Sequence, residues 1–306
     1  KDLEVWYNES SRPGYWTVYD SIIAHAESLG LKLIPSLGVG KKWAELAGED
    51  LRTLIVNTTS RARALNQDYV KELVTRYRSS SAVLFWELGN ELNLLCDIRP
   101  TEFQSWFNTY EMIEYMEDFV SWIRALDSRP ITSGHAAPRP SARSLLMSNG
   151  TSWALDSPQD YSAMVALQNG PVDIISVHLY PETPPRFNMS SPTVLFDASA
   201  SAADLARKPL FIGEFGVGGH ASYQNETSST YAFVEQSLGT APVTPSRPEH
   251  YATSHLHIAV RSHSTQMVRQ RVTCDRPCGG AQRTGTASDT WRVSCAIVTV
   301  MDRCDC

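Results

Sequence analysis

The sequence predicts an α/β chain built on a parallel sheet, either a (β/α)₈ barrel or a doubly wound open sheet, on three observations. Amphipathic stretches alternate with short apolar runs, five such pairs follow one another in order, and no Gly-rich phosphate loop follows any of the apolar runs. The last observation counts against the open nucleotide-binding form.

Taken in order, residues 18–29 read as a helix that Gly30 stops, and 31–37 as the strand that follows. Residues 66–77 form the next helix, with Val70, Leu73, Val74 and Tyr77 on one face, and lead into a strand at 82–88. The cycle repeats as helix 116–126 and strand 130–133, helix 161–168 and strand 172–178, then helix 198–206 and strand 209–214. A further helix is expected at 230–238. The segment 1–239 thus reads as one catalytic-type α/β domain.

After Gly239 the character changes. Residues 240–306 lack Lys, are rich in Arg, Ser, Thr and Cys, and show no sustained period except near 294–300, so a poorly ordered tail is expected. Cys274, Cys278, Cys295, Cys304 and Cys306 fall here, but their spacing fits no zinc template, and no metal is assigned. Cys96 stands alone, so the main body does not depend on disulfides.

Of 306 residues 42% are apolar and 20% charged, enough for a sizeable core in a water-soluble chain. No apolar run approaches the ~20 residues a membrane span needs. The net charge is −6, and because residues 247–306 carry eight Arg against five acids, the rest carries −9. An acidic body argues against nucleic acid as partner and leaves a neutral polymer open. Asn8, Asn57, Asn149, Asn188 and Asn225 each open an N-x-Ser/Thr acceptor, about twice what composition predicts, which leans towards a secreted protein.

Two carboxylates occupy matching places. Glu91 follows the strand at 82–88, and Glu214 ends the strand at 209–214. In a parallel barrel the C-terminal strand ends form the active face, so residues distant in the chain converge there. Two acids at that face meet the minimum for glycoside hydrolysis, in which one must hold a proton and the other stay ionised.

The flanking residues are Trp86-Glu87-Leu88-Gly89-Asn90-Glu91, then Val177-His178-Leu179-Tyr180, then Phe211-Ile212-Gly213-Glu214-Phe215-Gly216. This ordered trio resembles the strand 4, 6 and 7 signatures of glycoside hydrolase family 5, over about residues 15–239. The resemblance implies a (β/α)₈ TIM barrel and a retaining hydrolase of β-linked glucan or mannan. It further implies Glu91 as acid/base, Glu214 as nucleophile, Asn90 on the sugar 2-hydroxyl, Tyr180 donating to the nucleophile and His178 lining the cleft. No cofactor is implied, the partner is a polysaccharide or oligosaccharide, and a monomer is expected.

Trp43 and His135 are read as loop residues placed to touch sugar, Glu87 as part of an internal ion pair, and Trp122 as core. Strands 1, 2 and 8 of the family's barrel are not recognisable, so an incomplete barrel is expected, with residues 3–7 a strand remnant. The strand 2 Arg and strand 8 Trp have no match. Arg12 sits in an apparent loop and Trp291 in the tail. A second function is therefore carried, that of a carbohydrate-binding or inactive barrel remnant.

Overall fold

The computed structural model describes residues 2–38, 40–99, 106–180, 193–215, 259–261 and 267–269. The helices are α1 (Asp2–Tyr7), α2 (Arg12–Ser28), α3 (Gly40–Ala47), α4 (Leu51–Val56), α5 (Arg61–Tyr77), α6 (Thr109–Arg124), α7 (Ala142–Met147), α8 (Pro158–Gln168) and α9 (Thr193–Ala206). The strands are β1 (Trp86–Glu87), β2 (Ile131–Thr132), β3 (Ile175–Leu179), β4 (Leu210–Phe215), β5 (Ala259–Arg261) and β6 (Met267–Arg269).

Local chemistry explains the helix boundaries. The Ser60 hydroxyl accepts from the Arg63 N–H to start α5, whose residues Tyr69, Val70, Leu73, Val74 and Tyr77 are buried. Reciprocal capping boxes, Asn108 with Glu111 and Ser157 with Asp160, start α6 and α8. Gly30 takes a positive φ of 66° just past α2, the left-handed turn that ends helices cheaply only at glycine.

The wall is a series of parallel neighbours in chain order. Single bridges join Leu33 to Val83 and Ser36 to Glu87, β1 pairs with β2, Thr132 bridges Ile174, and β3 pairs with β4. All five predicted strand positions therefore lie side by side, although regular ladders cover only parts of them. The sheet is strongly curled. Phe85 and Phe211 lie three strand spacings apart, about 14 Å on a flat sheet, yet their ring centroids are 5.3 Å apart, edge to face. With Ile34 and Ile174 they form an apolar cluster on the inner face, as the core layer of a (β/α) barrel does. Beyond β4, the short β5 joins it antiparallel at Leu210 and Arg261 and continues into β6.

A second cluster lies outside the wall between helices α1 to α6, and a third between α8, α9, β3 and β4. In the second, Trp6 stands edge-on to Trp43 at 5.6 Å and to Tyr69 at 5.1 Å. Each such pair adds about 0.5–1.5 kcal/mol beyond the area it buries.

Three sequence readings are corrected. Residues 3–7 belong to helix α1, not to a strand, because Leu3, Trp6 and Tyr7 recur at helical spacing and face the cluster. Arg12 opens α2 rather than lying in a loop; its Nε donates to the Trp6 carbonyl at 2.8 Å and its guanidinium lies over the Trp6 ring. Trp43 belongs to α3 and is fully buried against Trp6 and Tyr69, so its ring is core and offers no face to a sugar. The short helices α3, α4 and α7 were not anticipated. Trp122 packs on the core as expected.

Asn8, Asn57 and Asn149 are exposed, and among the described residues no helix is long and apolar enough to cross a membrane. The helix expected at 230–238, the five tail cysteines, Trp291, the period near 294–300, Asn188 and Asn225 lie outside the described residues.

Candidate active site

Strand alternation arranges the inner face in layers. Residues two apart share a face, so above the apolar layer of Ile34, Phe85, Ile174 and Phe211 come Ser36, Glu87, Ser176 and Gly213. His178 and the two acids stand above those. Consecutive wall strands thus pass from a dry core layer to a polar layer to the mouth.

Glu91 sits just after β1 with a φ of 53°, in the left-handed region that costs a non-glycine residue about 1–2 kcal/mol. What holds it there is its N–H, which donates to the Gly134 carbonyl at 2.8 Å. Gly134 itself has a φ of 70°, and a Cβ there would lie 1.8 Å from the Gly89 carbonyl oxygen and 2.9 Å from the Glu87 side chain. Only glycine fits this turn. The loop is clamped again by Asn93, whose amide donates to the Ala136 carbonyl at 2.8 Å and accepts from the Ala136 N–H at 3.1 Å.

Glu214 is aimed by a bulge. Val177 pairs with Ile212 but His178 pairs with Glu214, so Gly213 is the extra residue, and it swings the carboxylate opposite the imidazole. A Cβ on Gly213 would come within 3.0 Å of His178 Nε2 and 3.1 Å of Ser176 Oγ, so a side chain there would crowd the histidine.

The acids meet through His178. Its Nδ1 lies 2.9 Å from Glu91 Oε1 and 3.6 Å from Glu214 Oε2, and one oxygen of each acid and this nitrogen all fall within 4.8 Å of one another. Tyr180 donates its hydroxyl to Glu214 Oε2 at 2.8 Å. Both partners of Glu214 lie on Oε2, and His178 faces Oε1 of Glu91. Three groups this close would also suit a cation, but the imidazole and phenol between the acids already account for the approach. Asn90 is exposed at the bend before Glu91. The structure therefore brings together Glu91, His178, Tyr180 and Glu214, with Asn90 next to Glu91 in the chain, His135 beside His178 and Trp43 elsewhere.

His135 lies in the loop after β2, as expected, but is 2% exposed, and its Nδ1 has no hydrogen-bond partner among the described residues. Burial, with the neighbouring His178 adding to it, pushes its pKa down to about 3. An imidazole kept neutral by the fold but charged in the unfolded chain contributes stability above about pH 6.5 that is lost as pH falls through about 3. The acid side of the stability profile should therefore fall by roughly 1.4 kcal/mol per pH unit over that window, and His135→Asn should flatten it. Parallel profiles in chemical denaturation would refute this.

Glu87 forms no ion pair among the described residues, contrary to the sequence reading. Burial pushes its pKa up to about 7, with the Ser36 hydroxyl opposing and the Glu214 charge adding. Sequence reasoning also missed Gly134. The signal was a Ser133-Gly134-His135 turn directly after a predicted strand.

Two carboxylates on non-adjacent strand ends of a curled parallel sheet, joined by an imidazole and backed by a tyrosine, make up the candidate site. The chain belongs to glycosyl hydrolase family 5, the cellulase family, which matches residues 11–243. A mannan endo-1,4-beta-mannosidase A from Aspergillus aculeatus is 23% identical over 216 residues, covering 65% of this chain and 50% of that protein. A probable mannan endo-1,4-beta-mannosidase C from Aspergillus terreus is 36% identical over 81 residues, 24% of this chain and 20% of that one. The crystal structure of an endo-1,4-beta-mannanase from Rhizomucor miehei shares the fold, with a TM-score of 0.53 and 20% identity over 72% of this chain and 64% of that one. The chain spans half the length or less of these two curated relatives.

Proposed function

We propose that the chain hydrolyses a β-1,4-linked polysaccharide backbone, mannan or glucan, by double displacement with retention at the anomeric carbon. The observation that carries this is that one carboxyl oxygen of Glu91 and one of Glu214 lie within 4.8 Å of each other. Retaining enzymes hold their carboxyls ~5–5.5 Å apart, whereas inverting ones need ~6.5–9.5 Å to seat a water.

The contacts divide the labour. Tyr180 engages Oε2 of Glu214, which steadies the charge and leaves Oε1 to attack the anomeric carbon. His178 faces Oε1 of Glu91, leaving Oε2 to protonate the departing oxygen. Once the glycosyl–Glu214 ester has formed, Glu91 takes a proton from water, whose oxygen attacks the same carbon and releases Glu214. Asn90, exposed next to Glu91 in the chain, is assigned to the neighbouring sugar hydroxyl in this reading. The mannan half of the proposal takes its support from the names of the curated relatives.

Incubation with β-mannan, β-1,4-glucan and mixed-linkage glucan, followed by proton NMR of the first-formed product, tests this. The retained anomer is expected. The inverted anomer would rule out double displacement, and binding without turnover on every polymer would leave the chain a carbohydrate-binding barrel.

A further inference from the structure

We propose that Glu87 is a positioning carboxyl for the two working acids, supporting Gly134 from the layer below the mouth. The inference rests on the hydrolase reading of the site above it.

The geometry begins with the strand. Phe85 points into the inner cluster against Phe211, so Glu87, two residues on, points inward too, one layer beneath the mouth. Its backbone is fixed on one side by the first wall strand, the Leu37 N–H donating to its carbonyl at 2.9 Å and its own N–H to the Pro35 carbonyl at 3.0 Å. The side chain reaches under the next strand end, where Cγ and Cδ lie 2.9 Å from where a Gly134 Cβ would be. Gly134 is the residue whose carbonyl holds Glu91. Moving the Glu87 carboxyl therefore moves the seat of the acid/base.

The surroundings decide its charge. The first wall strand offers the Ser36 hydroxyl, the β2 loop carries buried His135, β3 presents Ser176 and His178, β4 brings the negative Glu214, and Glu91 stands above on its own strand. No lysine or arginine pairs with Glu87 among the described residues. A largely buried carboxyl facing a hydroxyl and another carboxyl holds its proton up to about pH 7, while Glu214 accepts a hydrogen bond from Tyr180. Burial that is wasteful for a structural acid is useful here, because a neutral group can support the Gly134 turn without repelling the nucleophile.

The test uses the full chain and Glu87→Gln, which keeps the shape and removes the ionisation. A carboxyl titration followed by infrared or isotope-edited NMR should show one more ionisation near neutral pH in the wild type than in the variant. An equal number of such ionisations in the two proteins overturns the proposal, whether or not the chain turns over any glycoside. In turnover, a negative charge on Glu87 makes protons harder to remove from the remaining acids. Without it, the descending limb of the kcat/KM profile should move to lower pH by about half a unit, roughly a threefold loss at a fixed pH on that limb. The ascending limb should stay in place. A uniform fall at every pH with both limbs unmoved would mark Glu87 as mere packing. A wild type without turnover would instead count against the hydrolase reading, and the titration would still decide the role of Glu87.

Discussion

Glu214→Ala is expected to lower turnover by at least about 10⁴-fold, because it removes the atom that attacks the anomeric carbon and no other described carboxylate can replace it. The methyl group leaves space beside Tyr180 and His178, so azide should enter, restore turnover on an activated β-glycoside and give a glycosyl azide of inverted configuration. Glu91→Ala should behave differently. General acid catalysis is worth about 10²–10⁴, and the loss should be large on polysaccharide and small on aryl glycosides whose leaving groups need no proton. Equal losses for Glu91→Ala on both substrate types would remove its assignment as the acid, and azide rescue with retention would remove that of Glu214.

The second large effect is expected from a residue that touches no substrate. In Gly134→Ala the new Cβ meets the Gly89 carbonyl at 1.8 Å and the Glu87 side chain at 2.9 Å, on a backbone with φ of 70°. The positive φ alone costs about 1–2 kcal/mol, and relieving the clash means separating the ends of β1 and β2. At least about 2 kcal/mol of stability should be lost in chemical denaturation. Because the Gly134 carbonyl holds the Glu91 N–H, the acid/base should shift as well, and misplacement of about 1 Å is worth on the order of 10² in rate. A variant matching the wild type in both stability and kcat/KM would show that this turn does not set the site.

These two predictions draw on different kinds of information. The acids were legible in the linear chain, since Asn90-Glu91 and Gly213-Glu214 end strands that periodicity could place. All five strand positions and the five main helices within the described residues follow from apolar spacing and Gly30-type stops. Capping residues such as Ser60, Asn108 and Ser157 start the helices earlier than hydrophobic period alone predicts, because a cap acts through backbone N–H groups ahead of the first buried side chain. The segment 3–7 misled because five mostly apolar residues are too few to separate a strand from a short helix.

The sequence by itself determined which candidate residues stand at the strand ends, because strand ends, their flanking motifs and the alternation of faces are written in local order. Only the tertiary structure decided how near those residues stand and in what charge state their neighbours are held. Trp43 became core because α3 turned its ring onto Trp6 and Tyr69, Glu87 became a high-pKa acid because curling buried it and brought it near Glu214, and Gly134 became a seat for Glu91 because adjacent strand ends approach within a carbonyl's reach. Each of these depends on contacts between residues more than twenty-five positions apart, where desolvation and steric exclusion are set by tertiary packing and no local pattern records them.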